Sequence, residues 1–327
     1  MTAAGVVLWA AITIAVAGPA TSPEYLPLHV AEADGYFAQE ALEVTLKVER
    51  SEADAAQALA RGRADLAATS LDAAFRLGHV SGAPPLLLFG LTAAPPVALL
   101  VSPHHRDSVR SPVDLRGQMV GLPGVGTPEQ AVLSTILARA GVKVHHVPLR
   151  TFSNRGLAGA LEQGEVAAGV MADPWVTRLA QDDRAGILAD LRTRSDAARW
   201  LGAETVHAAL FVRADRRPGD QELAALCRAL LRAVARVGEA PAEALAAGLP
   251  ASVTGQRDDF ALRVAGARQS YLPGGRVTEE VIKSSLAQAR ERSPLPAAVK
   301  LPWWRWPSFL LGGPLEQAAE GSPARGR

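Results

Sequence analysis

Two short stretches of this chain carry residue types that can hold a small polar molecule. Thr21-Ser22-Pro23-Glu24-Tyr25 sets two hydroxyls, a carboxylate and a phenol side by side, and Gly124-Val125-Gly126-Thr127-Pro128-Glu129-Gln130 repeats the hydroxyl, proline, glutamate order about 105 residues further on. Proline there suits the first residue of a helix, where its missing N–H is not needed. A helix start leaves N–H groups unpaired and presents the positive end of the helix dipole, which together favour an anion or a polar ligand. Gly124 and Gly126 let the backbone come close to whatever binds. Thr127 and Gln130 also match the capping-box pattern, so Thr127 serves either as a cap alone or as a cap that faces a ligand. Glu24 and Glu129 complicate a simple anion, because each carboxylate already complements its own helix dipole. A ligand with amine or ring N–H donors suits them at least as well.

A second matched pair follows at nearly the same offset. Thr69-Ser70 closes one apolar run and Asp173-Pro174-Trp175 closes another. The hydroxyls of Thr69 and Ser70 can bond a ligand or equally cap the helix that begins at Leu71. Asp173 reads first as a helix cap and second as an acceptor for a ligand donor. Trp175 either stacks on a planar ligand or packs where two lobes meet. Asn154 opens a helix on the same side. Arg155 beside it reads as a solvated arginine, with a counter-ion role the alternative.

Other chemistries find little support. His104-His105 and His145-His146 are adjacent pairs, and neighbours on a strand point to opposite faces, so neither makes a zinc pair. There is no nucleophile elbow, no phosphate-binding loop and no catalytic constellation. Cys227 is the sole cysteine and sits on the apolar side of a helix pattern, which excludes an internal disulfide and a thiolate metal site. Neither a cofactor nor a metal is expected. With 34 basic and 33 acidic residues the net charge is +1, which leaves no electrostatic footprint for nucleic acid.

The elements that must position these residues alternate strand and helix, the signature of α/β architecture with mostly parallel sheets. Ile12–Val16 reads as a strand before the first hydroxyl loop, with Ser22 as N-cap and Pro23 at the first helical position. Leu42, Val44, Leu46 and Val48 alternate with polar residues as on a sheet edge. Leu66–Thr69, Leu86–Leu91, Val97–Val101, Gln118–Leu122, Val144–Leu149, Val166–Val170 and His207–Val212 are further predicted strands. From Asp220 onward the pattern is helical, and residues after Pro294 lose periodicity. Because strand, glycine loop and helix recur in both halves, two lobes of one plan face each other across a cleft, and parallel sheets place ligands at the strands' C-terminal ends. The apolar stretch Gly5–Ala17 could be the core of a signal peptide, but the repeat requires Ile12–Val16 as the first strand, which leaves no clear export signal in this chain.

The motifs resemble a known family. Tyr25-Leu-Pro-Leu-His-Val-Ala-Glu-Ala-Asp-Gly35-Tyr-Phe37, Gln57-Ala-Leu-Ala-Arg-Gly62-x-Ala-Asp65-Leu-Ala, Val113-Asp-Leu-Arg-Gly117-Gln-Met-Val-Gly121 and Asp173-Pro-Trp175 are similar to the substrate-binding proteins of ABC importers. The branch is that of nitrate, sulfonate, taurine and thiamine-precursor binders. The resemblance implies a type II periplasmic-binding-protein fold of two lobes joined by two crossing strands. Lobe 1 would comprise residues 1–93 and 206–293, lobe 2 residues 94–205, and 294–327 a partly disordered tail. It also implies a monomer outside the cytoplasm that closes on a sulfonate, nitrate, pyrimidine or similar solute by hinge motion and delivers it to a permease and ATPase. The alternatives are a ligand-sensing module, for which the Trp303-Trp304-Arg305-Trp306 tail would be a docking element, and a pyrimidine or thiamine-precursor enzyme on the same fold. The cysteine-rich motif of that enzyme is absent.

Overall fold

A computed structural model describes residues 10–78, 84–292 and 308–320 of the chain. Ten strands run through these residues in the order β1 (Ala10–Val16), β2 (Leu42–Val48), β3 (Leu66–Ser70), β4 (Leu86–Gly90), β5 (Val97–Val101), β6 (Val120–Leu122), β7 (Leu149–Thr151), β8 (Ala168–Ala172), β9 (Gly186–Asp190) and β10 (Ala208–Val212). They form two five-stranded sheets, ordered β2-β1-β3-β10-β4 and β7-β6-β8-β5-β9. In the first, β1 is parallel to β2 and β3, and β10 runs antiparallel to β3 and β4. In the second, β6 is parallel to β7 and β8, and β5 runs antiparallel to β8 and β9. The two sheets therefore share one plan, as the sequence repeat requires. Each mixed sheet has a single reversed strand, placed second from its edge.

Those reversed strands belong to the crossings between lobes. The chain leaves β4 of the first sheet and enters the second as β5, then returns after β9 to enter the first as β10. Both connectors are polar at the backbone and buried, so they must bond to something. They bond to each other: Thr205 Oγ1 donates to the Ala93 carbonyl at 2.8 Å and the His207 N–H donates to the Thr92 carbonyl at 2.8 Å. The C-terminal half of the chain holds this seam from outside, through Ala93 N–H to the Ser270 carbonyl and Leu272 N–H to the Leu91 carbonyl.

Strand composition follows position. β3, β5 and β10 are buried on both faces and read as unbroken apolar or small-residue runs, whereas β2 lies at an edge and alternates. Each sheet is covered on two sides. One face of the first packs on the helices Leu26–Ala33 and Asp220–Glu239 through Leu28, Leu226 and Leu230, and the other, which bears Phe211, on Phe75 and Phe309. The second sheet has Leu133, Ile136 and Leu137 on one side and Leu157, Leu161 and Val176 on the other.

Several expectations need correction. Ser22 makes no side-chain cap; a 3-10 turn, Pro23–Tyr25, precedes the helix proper. Val144–His146 is a 3-10 turn and the strand expected there begins at Leu149, because Pro148 has no N–H to give a ladder. β8 starts two residues later than expected. β9 and the helix Arg194–Leu201 were not foreseen at all: β9 is a half-exposed edge strand and the helix is polar on most of its surface, so neither has a strong apolar period. In the tail, Phe309 is fully buried, Leu310 bridges to Leu87 beside β4, and the helix Gly313–Glu320 packs on Asp220–Glu239. The tail expected to be partly disordered thus includes a packed helix of the first lobe. Trp303, Trp304 and Trp306 lie outside the described residues.

Phe211, in the reversed strand β10, is fully buried and meets Phe75 edge-on with ring centroids 6.3 Å apart. Phe211→Ala is expected to cost about 3–5 kcal/mol of stability. Urea unfolding read by circular dichroism checks this, and a loss below about 1 kcal/mol would contradict the central placement of β10.

Candidate functional site

The strand order brings one cluster of polar side chains to the edge where the lobes meet. Ser51 caps the helix Glu52–Ala60 by accepting from the Asp54 N–H at 3.1 Å, which fixes Glu52 in its first turn. Thr69, at the end of β3, donates through Oγ1 to the Glu52 carbonyl at 2.8 Å. Ser70 follows it and donates to Glu52 Oε2 at 2.6 Å. In the β3–β10 ladder Ser70 pairs with Ala208, so His207 stands beside the same carboxylate, its Nε2 3.4 Å from Glu52 Oε1. An antiparallel strand puts its N-terminal end where parallel strands put their C-terminal ends. That is how β10 brings a histidine to the ligand edge.

A cavity of ≈ 110 Å³ opens in front of this cluster, between the lobes. Glu52, Ser70 and His207 line it from the first lobe, Gly126, Thr127 and Pro128 from the second, and Pro95 and Thr205 from the crossings. Gly126 has a positive φ of 75°, a conformation that glycine adopts freely and that lets the loop turn into the helix Pro128–Arg139. Thr127 accepts from the Gln130 N–H at 3.5 Å, and Gln130 Oε1 returns to accept from the Gly126 N–H at 2.6 Å, so the expected reciprocal cap forms one residue earlier than the pattern suggests. Ser70 likewise caps the helix Leu71–Leu77, accepting from the Ala73 N–H at 3.3 Å.

The electrostatics of the cluster are unusual for its size. Burial pushes the Glu24 carboxyl up to about 6, an effect eased by the nearby His207 and reinforced by Glu52 and Glu129. Burial also works against ionised Glu52, but hydrogen bonding and charge from His207, with Ser70 and Tyr25 adding bonds, hold it below its usual range. Burial disfavours charged His207, yet Glu52 first and then Glu24 and Glu129 leave its pKa raised. Tyr25 is raised well above the usual phenol value by burial and by Glu52 and Glu24.

The sequence-predicted residues divide. Thr69, Ser70, Gly126, Thr127 and Tyr25 gather at or behind the cavity, and Gly124 supports it by accepting from Thr127 Oγ1 at 3.2 Å. Thr69 is fully buried and positions Glu52. Thr21 and Ser22 border a separate, smaller void against Phe260 and Arg263. Asn154 is exposed at the start of its helix. Asp173 caps its helix by accepting from the Thr177 N–H at 2.9 Å and pairs with Arg192 at 3.0 Å. Its carboxylate also meets Gly266 of the first lobe, where a Cβ would stand 1.8 Å from Oδ2. Trp175 is partly buried and packs against the second lobe's core, as Phe152 does. Glu52 and His207 were missed. The signal available was their position, one just after a helix cap and the other just before a strand, both at the cleft edge.

Comparison with known proteins places this geometry. The family model described as NMT1/THI5 like matches residues 22–244. The chain belongs to the NMT1/THI5-like family. Among solved structures, this NMT1/THI5-like chain is similar to a protein from Bordetella bronchiseptica RB50, at 24% identity and TM-score 0.71, covering 95% of this chain and 97% of that one. It is similar to the periplasmic aliphatic sulphonate binding protein SsuA from Escherichia coli, at 17% identity and TM-score 0.67 over 86% of each chain. The periplasmic nitrate-binding protein NrtA from Synechocystis PCC 6803 follows the same fold, at 12% identity and TM-score 0.64, with 97% of this chain and 90% of that one covered. No protein of curated function matches the sequence. The fold is thus that of periplasmic binding proteins.

Glu24 gives a stability test. Its carboxyl rises from an ordinary 4.5 to about 6 in the folded state, so folding favours the neutral form and the penalty grows as pH climbs from 4.5 through 6. Glu24→Gln should raise the stability of the ligand-free protein at pH about 7.5 by up to about 2 kcal/mol and leave it unchanged near pH 4. Denaturant midpoints at the two pH values decide it; an equal gain at both would refute the buried-carboxylate reading.

Proposed function

We propose that this chain captures a small solute in the cleft between its lobes and delivers it to the permease and ATPase of an ABC-type importer. The observation that carries this reading is the interlobe cavity, walled by Ser70, Glu52 and His207 on one side and by Gly126 and Thr127 on the other. Its support is a fold whose solved relatives include proteins named for sulfonate and nitrate binding. The lobes are the moving parts and the paired connectors at Thr92-Ala93 and Thr205–His207 the hinge. As a solute-binding component the protein works as a monomer outside the cytoplasm, in the same compartment as the periplasmic relatives.

Binding fits the side-chain chemistry better than turnover. Ser70 donates to Glu52 and its oxygen also accepts from the Ala73 N–H, so the hydroxyl serves as a helix cap and a support for Glu52. Cys227 is buried in the first lobe's core with its thiol pushed up to about 12, far from thiolate chemistry.

Two experiments test the reading. Solute released from protein purified without denaturation and identified by mass spectrometry should be intact and stoichiometric, and Ser70→Ala combined with Thr127→Ala should lower affinity for it at least tenfold. Stability should fall by only about 0.5–2 kcal/mol per lost cap. Unchanged affinity in the double variant would sink the cleft assignment.

Closure offers a second handle. Arg178 of the second lobe donates to Asp259 of the first, a partly exposed ion pair across the cleft. Asp259→Asn is expected to remove up to about 1 kcal/mol from the closed form, speeding solute release by up to about fivefold. Stopped-flow dissociation measures this, and slower release would show that the pair does not hold the lobes together.

A further inference from the structure

The charge around the cleft has the opposite sign from what a sulfonate or nitrate requires. Among the described residues, no lysine or arginine lines the cavity. Its carboxylates are Glu52 and Asp72, and Asp72 is already paired with Arg76 at 2.9 Å. Glu24 and Glu129 stand close enough to act on His207 as well. Three carboxylates thus contribute to the field at one imidazole, with Glu52 alone in contact with it. With the histidine charged the cluster is still net negative, and an anion entering a partly desolvated site of that sign is repelled.

The backbone donors point the same way. In this fold the helix starts at the cleft edge could grip an anion with free N–H groups, but here three of those groups are in use. The Gly126 N–H is taken by Gln130 Oε1 at 2.6 Å, the Gln130 N–H by Thr127, and the Ala73 N–H by Ser70. One buried acceptor stands beside Glu52: the Tyr25 hydroxyl oxygen, on a side chain 3% exposed, accepts no hydrogen bond. A phenol oxygen and ionised carboxylates are acceptors for a ligand's N–H groups.

We propose that the cleft is built for a small organic cation carrying N–H donors, a primary ammonium, amidinium or guanidinium, held by Glu52 and Glu24 with Glu129 closing from the second lobe. Among the described residues no three His, Cys, Asp or Glu side chains stand together as a metal site, which turns the inference to an organic cation and away from a bare metal ion. The proposal rests on the solute-binding reading and specifies its substrate class.

The proposal carries a pH signature. The groups facing Glu24 are His207, Glu52, Glu129, Tyr25 and Tyr271, the last donating to the neighbouring Pro23 carbonyl at 2.5 Å. Neither tyrosine ionises near neutrality. As pH rises through about 6 Glu24 gains its charge, and as it rises further His207 loses its own, so both changes make the cleft more negative. Cation affinity therefore increases with pH and anion affinity decreases.

The test is calorimetric titration of the full chain with four probes, n-butylamine, butylguanidine, 1-butanesulfonate and nitrate, near pH 5 and near pH 7.5. At the higher pH one of the two cations should bind at least tenfold more tightly than either anion, and its affinity should fall several-fold near pH 5. Glu24→Gln should remove most of that pH dependence, and Glu129→Gln, on the other lobe, should weaken the cation while leaving the first lobe's packing intact. Tighter binding of butanesulfonate or nitrate than of both cations overturns the charge assignment and leaves solute capture standing. Failure of all four probes, together with purified protein that carries no solute, overturns solute capture and this inference with it.

Discussion

A chain that leaves one lobe and returns to it must cross the gap twice, and both crossings must satisfy their backbone groups away from water. The solution here is to lay the two connectors against each other, Thr92 and Ala93 bonded to Thr205 and His207, and to feed each into the receiving sheet as its single reversed strand. Everything functional hangs on that arrangement. It places the N-terminal end of β10 among the C-terminal ends of β1 and β3, so the hinge and the binding edge are adjacent segments of one strand. His207 belongs to both: its N–H closes the seam and its ring meets Glu52.

The second organising force is desolvation. A carboxylate drawn out of water must find a partner or become neutral, and two glutamates beside the cleft take different routes. Glu52 is stabilised as an anion by Ser70 and His207, whereas at Glu24 burial outweighs the nearby charge of His207 and the carboxyl moves toward neutrality. Glu129, on the opposite lobe, is brought into the same field by the Gly126–Thr127 loop. The ligand-free protein therefore holds negative charge that its own side chains only partly offset. A binding site commonly has this character, since groups arranged for a partner are strained without it.

Much of this was legible in the sequence because caps and turns are local. Thr127, Ser70 and Gly126 announce themselves by type and spacing, and the repeated strand, loop and helix correctly implied two sheets of one plan. What stayed hidden depends on register. Glu52 and His207 are separated by most of the second lobe along the chain, and only the pairing of Ala208 with Ser70 brings them together. β9 and the buried Phe309 stayed hidden for a different reason. Each contributes few apolar residues to a core assembled from elsewhere, so periodicity has nothing to register. Trp175 shows how residue type leaves a role open: it fits a ligand contact or packing, and it lies partly buried against the second lobe's core.

The position of β10 also dictates an order of assembly on the ribosome. All five strands of the second sheet lie within residues 97–190, so that lobe can complete its hydrogen bonding as soon as they have emerged. The first lobe begins earlier but lacks its fourth strand until residues 208–212 are made, leaving the apolar flanks of β3 and β4 unpaired in the meantime. Domains of a nascent chain ordinarily fold from the N-terminus onward. Here the second lobe's sheet can be complete while the first lobe still waits for a strand delivered from beyond it.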